Sequence, residues 1–316
     1  LLLETINPKA IDFFTDEGYS VQTIDSETEL MKKIENISVL GVAASTNITK
    51  NILDHAKKLL AIGRFGLGTA NIDTDYATQK GIAVFNAPHS NTRSVAELVI
   101  GEIITLSRQI PEKNNQMHKG MWDSSLQQSR EVRGKTLGII GYDAVGSQVS
   151  VLAELLGMKV LFYDAQEKAA LGNARQCDSL DELLQKADVL TLHLDPTDEN
   201  KDLFTEREFL LMKDNVILIN LSRGLSINEH LLAKYIKNGK ILGAAIDVFT
   251  NKPKTKQEKF TSPLQGLSNV ILTPHIGGST KESQQNAGEC VAEKIVSFIN
   301  TGNTIQISSF RGHYAI

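Results

Sequence analysis

The chain has 316 residues, with 33 Lys and Arg against 37 Asp and Glu, a formal net charge of −4 and no Lys/Arg-rich run, which argues against nucleic acid as a partner. No apolar run approaches bilayer length and no signal peptide is visible, so a membrane partner is not expected; the chain opens at Leu1 in mid-strand without Met, as though a few residues preceded it. Its two cysteines, Cys177 and Cys290, lie far apart and outside any metal-type spacing, which favours buried thiols in a reducing, cytoplasmic setting and no metal site.

In chain order, short apolar runs alternate with amphipathic ones. Residues 1–3 read as a strand, 8–17 as a helix with Ala10, Ile11, Phe13 and Phe14 on its apolar side, 21–24 as a strand, 27–34 as a helix and 39–42 as a strand. A helix over 49–58 and strands over 60–65 and 82–85 follow. Alternation of this length predicts a small flavodoxin-like parallel sheet in residues 1–89. Residues 90–110 break the rhythm with a long helical pattern that is apolar over more than one face and must be buried. Residues 111–133 are polar around Trp122 and read as a surface arm. Six strands, over 136–140, 159–163, 189–193, 216–220, 242–248 and 270–272, then alternate with helices and match a doubly wound Rossmann-type sheet. A helix over 281–299 runs back to the first domain, where 305–310 adds a last strand. The expected organisation is thus a substrate domain over 1–89 and 283–316, with a dinucleotide-binding domain inserted at 90–282.

The stretch from Lys135 to Asp164 organises the rest. A strand, the turn Gly141-Tyr142-Asp143-Ala144-Val145-Gly146, a helix from Gln148 and a second strand ending at Asp164 make a βαβ unit, with the carboxylate placed to accept the ribose hydroxyls of NAD and to repel the phosphate of NADP. The second position of the glycine fingerprint is Asp143, where bare backbone is wanted. Two unit charges about 4 Å apart at an effective dielectric near 20 interact by roughly 4 kcal/mol, so an Asp143 facing the pyrophosphate would weaken NAD about a thousandfold. If it turns to solvent, only steric crowding remains.

Ligands of such sheets collect beyond the strand ends, in loops 141–146, 164–165, 193–196, 221–224, 247–252 and 274–279. Two of these carry chemistry. Arg223 follows a strand, where its fork can clamp a carboxylate, and His275 follows the last one, stiffened by Pro274 and trailed by Gly277 and Gly278. An arginine that holds an acid and a histidine that exchanges a proton are the minimum for moving hydride between a 2-hydroxy acid and NAD. Each also has a plainer reading: a loop histidine with an ordinary hydrogen bond, an arginine paired with a surface carboxylate. His193 suits a structural or cofactor-rim role.

Residues 61–73, Phe85-Asn86-Ala87-Pro88, 90–102, 133–140, 161–164, Asn220 with Ser222-Arg223-Gly224, 243–249, 260–264 and 272–280 together resemble the D-isomer-specific 2-hydroxyacid dehydrogenases, and within them the D-3-phosphoglycerate dehydrogenases of serine biosynthesis. The resemblance spans almost the whole chain. It implies Arg223 as the carboxylate clamp, His275 as acid/base, Asp164 at the ribose and Asp247 near the nicotinamide amide. Asn86, Gly278 and the 66–69 loop would face a 2-hydroxy or 2-keto acid, and a homodimer would form through the cofactor domain with help from 90–133.

Three positions depart from the family pattern. Lys252, before Pro253, stands where the family has the glutamate that supports the histidine; a cation there favours the neutral ring, with Glu258 a distant substitute. Ala43 and Ala44 stand where the phosphoglycerate enzymes present a cation to the phosphate, leaving groups such as Arg64 to serve. Asp143 is the third. The alternative reading is therefore a catalytically impaired homologue that works as a dimeric protein-binding or scaffolding module.

Overall fold

Most strands are short apolar runs followed by a helix, so they pair through crossovers, and parallel ladders result. The computed structural model describes residues 1–316 apart from 5, 127, 195–199, 254–256, 305–306 and 309–316. It divides into two units, Leu1–Asn91 with Ser279–Ile316, and Thr92–Gly278, where borders at 89/90 and 282/283 were expected.

In the first unit β1 (Leu2–Leu3), β2 (Thr23–Ile24), β3 (Val39–Val42), β4 (Ala61–Arg64) and β5 (Ala83–Asn86) form an all-parallel sheet in the order β2-β1-β3-β4-β5. Between them run α1 (Pro8–Asp16), α2 (Glu27–Lys33), α3 (Lys50–His55) and α4 (Thr74–Gln79). Asn7 caps α1 by accepting the Lys9 N–H at 3.0 Å, and Pro8 supplies a first-turn residue with no N–H to satisfy. Helix α4 was not expected: its sequence Thr-Asp-Tyr-Ala-Thr-Gln has a single buried residue, Ala77, and hence no periodicity.

The second unit opens with α5 (Thr92–Ser107) and α6 (Ile110–His118). The single helix expected over 90–110 is broken because Gln109 adopts φ +54° and Pro111 starts a new first turn, so part of the expected arm is helical. There follow β6 (Thr136–Ile140), α7 (Ala144–Leu155), β7 (Lys159–Tyr163), β8 (Arg175–Gln176), α8 (Leu180–Lys186), β9 (Val189–Leu192), α9 (Glu206–Leu211), β10 (Val216–Asn220), α10 (Glu229–Lys237), β11 (Ile241–Ile246) and β12 (Val270–Leu272). All are parallel, in the order β12-β11-β10-β9-β6-β7-β8. Six strands were expected here; the seventh, β8, is a polar Arg-Gln pair that no apolar pattern announces. Helix α7 begins at Ala144 and not at Gln148, because Gly146 belongs to its first turn.

Every residue of β9, β10 and β11 is buried, as befits a parallel sheet covered on both faces. Alternation sends Ile217 and Ile219 to the face that holds Val99, Ile103 and Val149, and Val216 and Leu218 to the face of Phe209, Leu232 and Leu183. Strand order reverses between β6 and β9, which opens a crevice beyond their carboxyl ends.

The last helix, α11 (Lys281–Thr301), returns to the first unit and packs against α1, β4 and β5, burying Ala287, Val291 and Ile295 with Leu2, Phe14, Ala61 and Phe85. Of the expected final strand, 305–306 and 309–310 lie outside the described residues; Ile307 is buried in the same core. No described helix is long and apolar enough to cross a membrane, and no His/Cys/Asp/Glu cluster among the described residues could hold a metal. Both cysteines are free thiols, Cys177 buried and Cys290 half-buried.

Candidate active site

The turn after β6 is shaped by close approach. Gly141 has φ +89°, and a Cβ there would lie 2.2 Å from the His193 carbonyl oxygen; a Cβ on Gly146 would lie 2.2 Å from the Gly141 carbonyl oxygen. Both must be bare. Tyr142 is buried, its ring stacked on Phe162 with centroids 3.7 Å apart and its hydroxyl 3.0 Å from Ser150 Oγ. Asp164, just after β7, accepts the Tyr142 N–H at 2.8 Å through Oδ2 and the Gln166 N–H at 3.0 Å through Oδ1, which leaves lone pairs on both oxygens for hydroxyl donors.

Ala144 and Val145 begin α7, whose first N–H groups point where an anion would sit. Asp143 occupies its N-cap, yet the carboxylate forms no capping bond and instead meets Lys168 Nζ at 2.6 Å. The charge read from the sequence as bare is a paired one. His193 is half-buried with Nε2 3.0 Å from Thr191 Oγ1, and desolvation lowers its pKa to about 3, so the ring is neutral. The Asp195–Pro196 part of its loop lies outside the described residues. Two obligate glycines, an open helix N-terminus and a carboxylate at the ribose position suit an adenine dinucleotide.

The loops after β10, β11 and β12 line a cavity of about 890 Å³ that includes Arg223, Asp247, Lys252 and His275. Asn220 shapes the first loop: its Nδ2 donates to the Arg223 carbonyl at 2.8 Å, and its Oδ1 accepts the Ser222 N–H at 3.1 Å and hydroxyl at 3.0 Å. Gly224 lies so close to the 249–250 backbone that a Cβ would meet the Phe249 carbonyl carbon at 2.4 Å, which ties Arg223 to the β11 loop. The exposed Arg223 donates through Nη1 to the Ser222 carbonyl at 2.9 Å.

His275 sits at φ +57°, a conformation that non-glycine residues adopt only when surroundings enforce it. Asp247 supplies the force. Only 1 % exposed, its carboxylate accepts the Thr273 hydroxyl at 2.6 Å and the Ile276 and Gly277 N–H groups at 2.8 Å each. The resemblance puts Asp247 by the nicotinamide amide; here both its oxygens face the His275 loop, which ends at the half-buried Gly278. Lys252 lines the same cavity, and Glu258 is not among the described residues that do. Leu225, Phe249, Phe260 and Leu272 form apolar wall.

One group escaped the sequence reading. Glu102 on α5 is 4 % exposed, neither of its oxygens bonds any described group, and desolvation with the nearby Asp247 charge raises its pKa to about 8. It is neutral at pH 7. The signal was an acid set among Val99, Ile100, Ile103 and Ile104 in the apolar part of α5.

In the first unit the loop after β3 is held by Asn71, whose Nδ2 donates to the carbonyls of Ala43 at 3.0 Å and Thr46 at 2.7 Å. Ala44 precedes Ser45, whose N–H donates to the Glu4 carboxylate at 3.3 Å, so an acid meets this loop. Arg64 ends β4 beside Val42, and desolvation lowers its pKa. Asn86 ends β5 with its Nδ2 donating to the Leu67 carbonyl and its Oδ1 accepting the Ser308 hydroxyl at 2.6 Å, which shapes the 66–69 loop.

Residues 100–277 match the family model described as D-isomer specific 2-hydroxyacid dehydrogenase, NAD binding domain. D-3-phosphoglycerate dehydrogenase 1 of Saccharomyces cerevisiae is 47 % identical over 98 % of this chain and 68 % of its own length. D-3-phosphoglycerate dehydrogenase of Escherichia coli is 44 % identical over 98 % of this chain and 77 % of its own. The structure of D-lactate dehydrogenase from Aquifex aeolicus complexed with NAD and lactic acid superposes with a TM-score of 0.75 at 27 % identity, covering 95 % of each chain.

Proposed function

The chain belongs to the D-isomer-specific 2-hydroxyacid dehydrogenase family, and from that premise we propose that it is an NAD-dependent oxidoreductase acting on the CH–OH group of a small D-2-hydroxy acid. The observation that carries the reading is that Arg223 and His275 line one cavity at the carboxyl edge of the sheet whose β6 turn suits a dinucleotide. Gly141, Gly146 and Asp164 would hold NAD, which would supply the hydride acceptor for oxidation and, reduced, the hydride donor for the reverse. Arg223 grips the carboxylate through its two-pronged guanidinium and draws electron density from the reacting oxygen. His275 takes the hydroxyl proton during oxidation and gives it back to the carbonyl oxygen during reduction. Asp247 keeps the His275 loop in its strained shape.

The relatives named D-3-phosphoglycerate dehydrogenase make 3-phosphoglycerate, and hence serine biosynthesis, the first substrate to test. Ala43 and Ala44 bring no cation, and Arg64 is a positive group that the first unit offers a phosphate. Lys252 in the cavity favours a second reading, a catalytically impaired homologue acting through protein contacts. Titration with NADH, followed by nicotinamide fluorescence, separates the two. Binding, and turnover of a 2-keto acid in a screen, support the enzyme; no binding at millimolar NADH leaves the module.

A cytoplasmic homodimer is part of the proposal. Trp122, Leu126 and Leu155 are 82, 86 and 80 % exposed on the second unit, large apolar side chains that a second copy of the chain would cover. Sedimentation should give a dimer that Trp122→Ser with Leu126→Ser converts to monomer.

A further inference from the structure

Aspartate is among the strongest N-caps, because its carboxylate reaches back to the second or third N–H of the helix. Asp143 has the extended backbone of a cap, φ −88° and ψ −155°, before the twelve-residue α7, and its carbonyl accepts the Ser147 N–H at 2.9 Å as the first helical bond. Its side chain nevertheless leaves the Val145 and Gly146 N–H groups alone and turns to Lys168, 2.6 Å away and 25 residues on. Lys168 is placed by other bonds. Its own N–H donates to Gln176 Oε1 at 3.1 Å, and Gln176 Nε2 donates to the Gln166 carbonyl at 2.9 Å and the Asp164 carbonyl at 3.4 Å. The lysine thus belongs to the β7–β8 segment, beside the ribose carboxylate and not on the fingerprint turn.

We propose that Lys168 is a positioning residue for dinucleotide binding: by holding the Asp143 carboxylate in an ion pair, it keeps the N-terminus of α7 open to the pyrophosphate and cancels the charge that would repel it. Without the lysine, the carboxylate would fall back on the helix N–H groups that an anion needs and present its charge there. The fingerprint tolerates aspartate at its second position because the repelling group is drawn aside. The proposal rests on the NAD-binding part of the functional reading and goes beyond it, since no glycine pattern marks Lys168.

The test is a double-mutant cycle read by NADH fluorescence titration of the whole protein. Lys168→Ala should weaken NADH roughly 10- to 100-fold, less than an unscreened contact between like charges because the pair faces solvent. Lys168→Arg should retain affinity, and Asp143→Gly with Lys168→Ala should return to within about threefold of Asp143→Gly alone. Unchanged affinity in Lys168→Ala overturns the proposal, and so does a double variant as weak as the single one, which would make the lysine a direct phosphate ligand. Hydrogen exchange without cofactor supplies a second readout: the Val145 and Gly146 amides should gain protection in Lys168→Ala and lose it in the double variant. Unchanged protection overturns the proposal as well. If wild type binds no NADH, the functional reading fails, while the exchange experiment still reports whether lysine diverts the cap.

Discussion

The fingerprint turn and the cavity each carry one charged side chain that the resemblance does not lead one to expect, Asp143 and Lys252, and their surroundings differ. At the turn, Asp143 is matched by Lys168 at 2.6 Å, so the departure is local and the dinucleotide geometry around Gly141, Gly146 and Asp164 survives. In the cavity, Lys252 shares the lining with Arg223 and His275, and among the described residues no carboxylate is ion-paired with it. A charge change that recruits a counter-charge preserves a binding site. Under the proposed function, one that does not would bear on the proton transfer assigned to His275.

The largest expected effect is on the cavity. Arg223→Ala should lower kcat/KM for any 2-keto acid about a thousandfold while NADH affinity, measured by fluorescence, stays near wild type; loss of both together would merge the two regions into one functional piece. Next comes Glu102. Its folded-state pKa of about 8 lies above the ordinary 4.5, so the folded protein holds a proton that the unfolded chain releases. Stability present below about pH 4.5 is therefore lost as pH rises towards 8, by on the order of 3 kcal/mol, and Glu102→Gln should abolish that slope in urea melts at pH 5 and 8. Equal slopes in the two proteins would mean that the carboxyl ionises freely.

Lys252→Glu should speed ketone reduction roughly 10- to 100-fold, because a carboxylate in the cavity can accept an N–H of the His275 ring and hold it towards the reacting oxygen. An unchanged kcat would take Lys252 away from the chemistry. The smallest effect belongs to Asp143→Gly, which should shift the Kd for NADH by less than about threefold, since its charge is already matched; a hundredfold gain would show the ion pair to be ineffective.

Sequence pattern carried the second sheet well because β6, β7, β9 and β10 are largely continuous apolar runs set at helical intervals, and it pointed to Arg223 and His275 because each stands in a loop shortly after a strand; the two line one cavity. It failed where structure rests on single contacts. Helix α4 and strand β8 are short and polar, and the break at Gln109 depends on one positive φ. The Asp143–Lys168 pair joins positions 25 apart with no period to link them. Glu102 was hidden by the apolar residues around it, and the grip of Asp247 on the His275 loop is a matter of hydrogen-bond direction that residue types do not convey.

The return of α11 to the first unit has a consequence for synthesis. During translation β1 to β5 leave the ribosome long before residues 281–301, so the sheet face carrying Leu2, Ala61 and Phe85 is covered only in part, by Ala10 and Phe14 of α1, while the whole intervening unit is made. Nascent chains stalled before α11 should hold a protease-resistant middle portion and a protease-sensitive beginning; an equally resistant beginning would mean that the early strands mature without their last helix. A nonsense codon between β5 and α11 should then cost the first unit its fold even though that unit's five strands are all present.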